Sequence, residues 1–267
     1  MKQNHAIEVN QLHVRYGDRD ILQGIDLNVR RGEIMVIMGG SGSGKSTFLR
    51  HLLALESPLG GTVRLLGKDI TQLSGKEMHQ LRRNIGVSFQ GGALFSSLTV
   101  GENIILPLRE HTRLDPETMG IMARMKLEVV NLAGFEELMP AQLSGGMVKR
   151  VALARAIIMD PKLLFFDEPS AGLDPVVSAE LDQLILRLKS AMGMTIVVVT
   201  HELESAFSIA DRITFLDQGR ILMTGTVDEV KRSDNPRIQS LLNRTPIDQQ
   251  RDADEYIRRL TGRQTTE

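Results

Sequence analysis

The sequence predicts an α/β fold with one phosphate-binding loop at its centre, an antiparallel β subdomain around it and an inserted helical subdomain. Three observations predict it. A short apolar run, Ile34-Met35-Val36-Ile37-Met38, leads through Gly39-Gly40-Ser41-Gly42-Ser43-Gly44-Lys45-Ser46-Thr47 into Phe48-Leu49-Arg50-His51-Leu52-Leu53, which reads as a buried strand, a glycine loop and a helix start. Runs of period-two alternation precede and follow it. From about residue 91 to 160 strand signals vanish and helix signals take over.

The elements follow in order. Ala6 to Tyr16 alternates apolar and polar residues through Ile7, Val9, Leu12 and Val14, and Tyr16-Gly17-Asp18 turns it back. Ile25 to Val29 alternates as well, and Arg31-Gly32 turns into the apolar strand before the glycine loop. Thr62 to Gly67 is another short strand. Ser74-Gly75-Lys76-Glu77 is a capping-box pattern that opens a short helix. Ile85 to Gln90 is the last strand before the helical block. In that block Asp115-Pro116 caps a helix that Gly134 is expected to close, and Ser144 begins another that stops before Pro161. Strands resume at Lys162–Phe166 and Thr195–Thr200, both continuous and apolar as buried parallel strands are. Between them Leu181, Leu184, Ile185, Leu188 and Met192 form one helical face. Arg212–Leu216 and Ile221–Met223 make a hairpin over Asp217-Gln218-Gly219, and Thr226-Val227-Asp228-Glu229 is a second capping box. Pro236 and Pro246 are expected to interrupt helix continuation. The organisation is therefore one catalytic domain over residues 6–243, with its helical part at about 91–160, and a polar tail over 244–267. In that tail Asp254 to Leu260 suits a short association helix, with acids early and bases late.

Bulk properties bound the function. The chain has 267 residues, 42% hydrophobic, with Lys+Arg 32 against Asp+Glu 33, so it can bury one sizeable core and carries no overall basic footprint for nucleic acid. It has no cysteine, which excludes disulfides, thiolate metal sites and a cysteine nucleophile. No apolar run approaches the roughly 18 residues a membrane span needs, so work at a membrane requires another chain to hold it there. His51, His79 and His111 read as exposed or partly buried bystanders, and the 13 methionines as core filler and helix surface.

The chemistry concentrates in three places. The loop Gly39–Thr47 matches G-x-x-x-x-G-K-[ST] in its strand-to-helix setting. Its glycines let backbone N–H groups close on an anion, Lys45 reaches β- and γ-phosphates, and the Ser46 hydroxyl can ligate Mg²⁺. Asp167-Glu168 ends a buried strand, where the aspartate can hold Mg²⁺ and the glutamate can polarise a water aimed at a γ-phosphate. Ser144-Gly145-Gly146 opens a helix with a serine cap and free backbone N–H groups, a second helix start able to bind phosphate. The bland counterparts are a solvated acidic turn and an ordinary capped helix, and the glycine loop weighs against both.

In this order the motifs resemble the nucleotide-binding subunit of ABC transporters, over nearly the whole chain from about Ile7 to Leu242. The resemblance implies a P-loop NTPase fold of ABC type and ATP hydrolysis with Mg²⁺. By it, Gly39–Thr47 is the Walker A loop, Leu143–Met147 the signature and Leu163–Glu168 the Walker B strand with its catalytic glutamate. It further implies that Tyr16 stacks on adenine, that Gln90 links Mg²⁺ to the helical subdomain, that Ser170–Asp174 is a D-loop and that His201 senses the γ-phosphate. Two copies are then expected to bind two ATP molecules head to tail, with Ser144, Gly145 and Gly146 completing the partner copy's site. The signature departs from the commonest form in ending at Met147 where glutamine is usual.

Gly91 to Val100, followed by Leu106-Pro107-Leu108-Arg109-Glu110-His111, is similar to the ATPases of Mla/MCE-type phospholipid transporters. That implies a peripheral ATPase on the cytoplasmic face of the inner membrane, held by a permease, together with an MCE-type lipid-binding protein and a small STAS-type regulator. An ABC ATPase for amino acids, metals or lipoproteins, one acting on DNA or the ribosome, and a non-hydrolysing scaffold are the alternatives.

Overall fold

A computed structural model describes residues 5–243 and 245; the expected tail helix at Asp254–Leu260 lies outside them. The chain opens with β1 (His5–Tyr16), β2 (Arg19–Arg30) and β3 (Ile34–Met38), then α1 (Lys45–Leu52), β4 (Gly60–Leu65), β5 (Lys68–Asp69), α2 (Gly75–Arg82) and β6 (Ile85–Ser88). The helical block follows as α3 (Val100–His111), α4 (Pro116–Val129) and α5 (Gly145–Ala156). The last part is β7 (Leu163–Asp167), α6 (Pro175–Met192), β8 (Thr195–Val199), α7 (Leu203–Ile209), β9 (Arg212–Asp217), β10 (Arg220–Gly225), α8 (Val227–Lys231) and α9 (Pro236–Leu242).

A strand that is apolar at every position has no polar face to give to water, so it must be covered on both sides. β3 and β8 are buried throughout, and β7 is buried up to Phe166. They form the centre of a six-stranded sheet, β10-β9-β3-β8-β7-β6, in which only β10 is antiparallel to its neighbour. Because successive side chains alternate in direction, the two faces split cleanly. Met35, Ile37, Leu163, Phe165, Val197 and Val199 pack towards α1 and the antiparallel sheet β2-β1-β4-β5. Ile34, Val36, Met38, Leu164, Phe166, Ile196 and Val198 pack towards α3–α7.

Capping explains where the helices begin. Ser74, Thr99 and Thr226 each form a complete capping box with Glu77, Glu102 and Glu229, an arrangement in which the cap residue is typically worth about 1 kcal/mol. Asp115 caps α4 with Pro116 in its first turn. The helix closes earlier than the position of Gly134 implies, because Asn131 takes the left-handed turn at φ 57 and Gly134 bends the segment beyond. Met192 stands apart from the buried face of α6, 37% exposed, whereas Leu181, Leu184, Ile185 and Leu188 are buried. Pro236 starts a helix instead of breaking one: Asn235 caps α9 through the N–H groups of Arg237 and Ile238, and a proline in the first turn gives up no hydrogen bond. His51 is a core residue at 1% exposure, its Nδ1 bonded to the Thr47 carbonyl oxygen at 2.8 Å.

Candidate nucleotide site

The register of the central strands aligns three loops. Ile37 pairs with Val199, and Val199 with Asp167. The glycine loop, Asp167-Glu168 and Thr200-His201 therefore leave the sheet side by side at the carboxyl ends of parallel strands, where α/β sheets bind ligands. The Thr200 N–H donates to the Ile37 carbonyl at 3.2 Å and keeps the His201 turn against the glycine loop.

The glycine loop has no room for side chains at two of its positions. A Cβ on Gly39 would lie 2.1 Å from the Leu216 carbonyl oxygen, and one on Gly44 would lie 2.9 Å from Leu22 Cδ2 on backbone at φ 106. The β9–β10 turn supports the loop, since the Gly219 N–H donates to the Ser43 carbonyl at 3.0 Å. The Lys45 ammonium closes over the loop carbonyls of Gly39 at 2.7 Å and Gly40 at 3.0 Å. Burial pulls the Lys45 pKa down, while Glu168 and Asp167 hold it up. The Ser43 hydroxyl is buried without a partner, as is that of Ser170 in the loop after Glu168. An orphaned hydroxyl, a helix start with no side-chain cap and a close backbone turn fit a polyanion. Ser41, Gly42 and Ser46 are exposed, Gly40 is partly exposed, and Thr47 is buried in the first turn of α1.

Glu168 stands on left-handed backbone at φ 49, a conformation that costs a non-glycine residue about 1–2 kcal/mol. Its N–H donates to the Val199 carbonyl at 2.8 Å. His201 holds both carboxylate oxygens: its Nδ1 lies 2.9 Å from Oε1, and its backbone N–H donates to Oε2 at 3.3 Å. Next to it, burial raises the Asp167 pKa and the Glu168 charge raises it further, against the pull of Lys149, Lys45 and Arg50. A carboxylate kept partly out of water beside a second one fits a cation. Among the described residues no cluster of three or more His, Cys, Asp or Glu could hold a metal alone. Hard oxygens such as the Asp167 carboxylate and the Ser46 hydroxyl suit Mg²⁺ that keeps waters and uses substrate phosphates.

Tyr16 ends β1 with 44% of its surface exposed, and its hydroxyl donates to Glu56, which also pairs with Arg50 of α1 at 2.9 Å. The tyrosine therefore stands half-exposed beside the glycine-loop helix. Gln90 sits exposed in the turn after β6.

The second glycine-rich helix start lies elsewhere. Ser144 accepts the Met147 N–H at 3.3 Å and caps α5. Ser144, Gly145, Gly146 and Met147 line a cleft of about 310 Å³ with Gly172, Leu173 and Asp174, and no residue of Gly39–Thr47 lines it. Gly146 also has a packing reason, because a Cβ there would meet Val177 Cγ1 at 2.9 Å.

Three interactions had no sequence signal. Lys149 is 8% exposed, and its ammonium donates to the backbone carbonyls of Gln90 and of Glu168, the latter at 3.2 Å. Asn103 is fully buried and ties Phe95, Leu98 and Thr99 together through four hydrogen bonds of 2.8–3.1 Å. Asp182 of α6 accepts the Ser205 hydroxyl at 2.6 Å and joins two helices that follow site loops. Long-range pairing reveals the first and the third, whereas Asn103 binds the turn just before its own helix.

Residues 22–171 match the family described as "ABC transporter". The chain is 39% identical over 263 residues to the "Intermembrane phospholipid transport system ATP-binding protein MlaF" of Haemophilus influenzae, covering 97% of this chain and 99% of that one. It is also 39% identical over 238 residues to the "Probable ribonucleotide transport ATP-binding protein mkl" of Mycobacterium leprae, covering 89% of this chain and 69% of that one. Its fold superposes on the dimeric post-hydrolysis state of the ATP-binding cassette MJ0796 bound to ADP and Pi, with a TM-score of 0.76, 33% identity and coverage of 83% and 98%. With the aligned loops of the sheet now matched by relatives along most of its length, this chain belongs to the ABC transporter family, as an ATP-binding component whose hydrolysis of ATP drives transport.

Proposed function

We propose that the chain is the ATPase subunit of a complex that moves phospholipid between the inner and outer membranes and so maintains outer-membrane lipid asymmetry. The observation that carries the motor half is the Glu168 carboxylate, fixed through both oxygens by His201 at the strand ends beside Lys45. In this reading Gly39, Gly40, Ser41, Gly42, Ser43, Gly44 and Thr47 wrap the triphosphate, Lys45 offsets charge on its β- and γ-phosphates, and Tyr16 covers the adenine. Ser46, Asp167 and Gln90 would hold Mg²⁺, which would supply charge neutralisation for phosphoryl transfer. Glu168 accepts a proton from the attacking water, and His201 keeps that carboxylate aimed and reads the γ-phosphate. Ser144, Gly145 and Gly146 serve the nucleotide of a second copy, in keeping with a cleft that no residue of their own glycine loop lines.

The cargo half rests on the end-to-end match to the Haemophilus protein, whose name specifies phospholipid. The mycobacterial name supports a second reading, ribonucleotide cargo, from a match to part of that relative's length. A groove of about 470 Å³ lined by Leu53, Phe89, Phe95, Leu106 and Pro107 suits an apolar helix from a permease. Among the described residues no helix is long and apolar enough to cross a membrane; in this reading a permease holds the chain at the inner face of the inner membrane. A STAS-type regulator, an MCE-type protein and a role for residues 244–267 in association complete the proposed complex, with the catalytic domain at 6–243. The test is to purify the chain with its native membrane partners and reconstitute them. Phospholipid transfer and phospholipid-stimulated ATPase activity are expected; stimulation by ribonucleotide alone would overturn the cargo.

A further inference from the structure

Lys149 is a second-turn lysine of a helix whose N-terminus faces one cleft, yet its side chain runs back into the nucleotide site of its own chain. It is 8% exposed, and its ammonium donates to two backbone carbonyls, that of Gln90, 59 residues earlier, and that of Glu168, 19 residues later, at 3.2 Å. A lysine spends desolvation to reach such a place, and here burial does lower its pKa, with Asp167 and Glu168 as the charges that offset it. Neither carbonyl belongs to a regular element. One lies in the turn after β6, and the other belongs to the residue on left-handed backbone at φ 49. Strained peptides of that kind persist where surrounding bonds over-determine them. The peptide N–H before Glu168 Cα is bonded to Val199, and the carbonyl after it is bonded to Lys149.

We infer that Lys149 is a positioning residue for hydrolysis: it clamps the Gln90 and Glu168 peptides to α5, so that the carboxylate aimed in one site and the Ser144-Gly145-Gly146 start offered to the other copy's site move as one body. The inference rests on the role proposed above for Glu168. Its consequence is a link between the two sites of the dimer within each chain: displacement of α5 turns the Glu168 peptide and takes the carboxylate off its water.

The test compares Lys149→Met with Lys149→Gln: both are one bond shorter than lysine, but Met keeps only an apolar stem whereas Gln keeps two N–H donors. Glu168→Gln is the control, and all are made in the full-length chain. Titration with a fluorescent ATP analogue and steady-state phosphate release are measured for each. Lys149→Met is expected to lose about tenfold in kcat, the effect of one charge-assisted hydrogen bond on a barrier, with nucleotide affinity kept within about twofold; Lys149→Gln is expected to recover at least half of the wild-type kcat. Wild-type turnover in Lys149→Met overturns the inference. So does a parallel loss of affinity, melting temperature and kcat in both variants, which a merely structural lysine would produce, and so does a Gln variant as slow as Met. Normal turnover in Glu168→Gln would instead remove the role of Glu168 and leave the clamp without an object.

Discussion

The two glycine-rich helix starts of this chain are built in opposite ways. α1 begins at Gly44 on left-handed backbone, with no side-chain cap and no acid in its first turn. α5 begins at Ser144 on extended backbone, and that serine satisfies the Met147 N–H. The first helix leaves its donors open and sets a lysine and two carboxylates beside them, so it is complete only around an anion and a cation. The second supplies one acceptor of its own and stands without a ligand. The glycine loop keeps several positions exposed, among them Ser41, Gly42 and Ser46, so its donors are left for a ligand to satisfy. In the role proposed for it, the second start faces another copy and must also be stable when no copy is there.

The comparison breaks most visibly at Lys45. Lys45→Ala is expected to weaken nucleotide binding and to lower turnover by about 10³-fold, since the charge on the β- and γ-phosphates disappears; normal phosphate release from this variant would place the site elsewhere. Glu168→Gln comes next, with hydrolysis slowed by about 10²–10³-fold, ATP binding retained and an ATP-stabilised dimer seen by gel filtration. Wild-type turnover would end the assignment of that carboxylate.

Ser144→Ala separates the two starts. It removes a cap worth about 1 kcal/mol, so the melting temperature falls slightly. Turnover drops about tenfold while ATP binding to the single chain is unchanged. If ATP affinity of the isolated chain fell as far as in Lys45→Ala, both helix starts would serve the same nucleotide and the contrast would collapse. A smaller effect probes the carboxylates. Asp167 has a raised pKa in the folded chain, so its ionised form is held at some expense of stability above that pKa, and the fold gains as pH falls through it towards the ordinary value. Asp167→Asn is expected to melt about 1–3 °C higher at neutral pH, with the advantage shrinking on acidification. A variant that melted lower at neutral pH would mean the carboxylate is stabilising there. Least of all, Met147→Gln is expected to stay within about twofold of wild-type turnover, because Met147 contributes its backbone N–H to the Ser144 cap and that survives; loss of activity would assign its side chain a role.

Features with a local cause were legible in the sequence, and those with a distant cause were not. Ser74, Asp115, Ser144 and Thr226 announce helix starts because a cap acts within three residues. The apolar runs at β3, β7 and β8 announce a covered parallel sheet because burial on two faces leaves no alternation. Asn131 competed with Gly134 for the end of α4, and both can take left-handed backbone, so their order along the chain decided it. Pro236 was ambiguous because proline breaks a helix inside and suits its first turn; Asn235 before it was the available sign. Lys149 and Asp182 look like solvent-facing polar helix residues, and their burial depends on carbonyls and a hydroxyl brought in from far along the chain, whereas Asn103 is buried against the turn just before its own helix. The site itself was readable as residue types, whereas the grip of His201 on Glu168 spans 33 residues and came from strand register.

The position of α9 has a practical consequence. Arg237 grips Asp217 through two bonds of 2.7 and 2.9 Å, and Leu241 comes within 3.9 Å of where a Cβ on Gly40 would lie. The last described helix therefore rests on the hairpin and on the glycine loop at once. Since the chain has no cysteine, a single thiol introduced as Asn243→Cys, at the exposed end of α9, can be labelled uniquely. A polarity-sensitive dye there would report ATP arrival as a change in emission without any alteration of the loop that receives it.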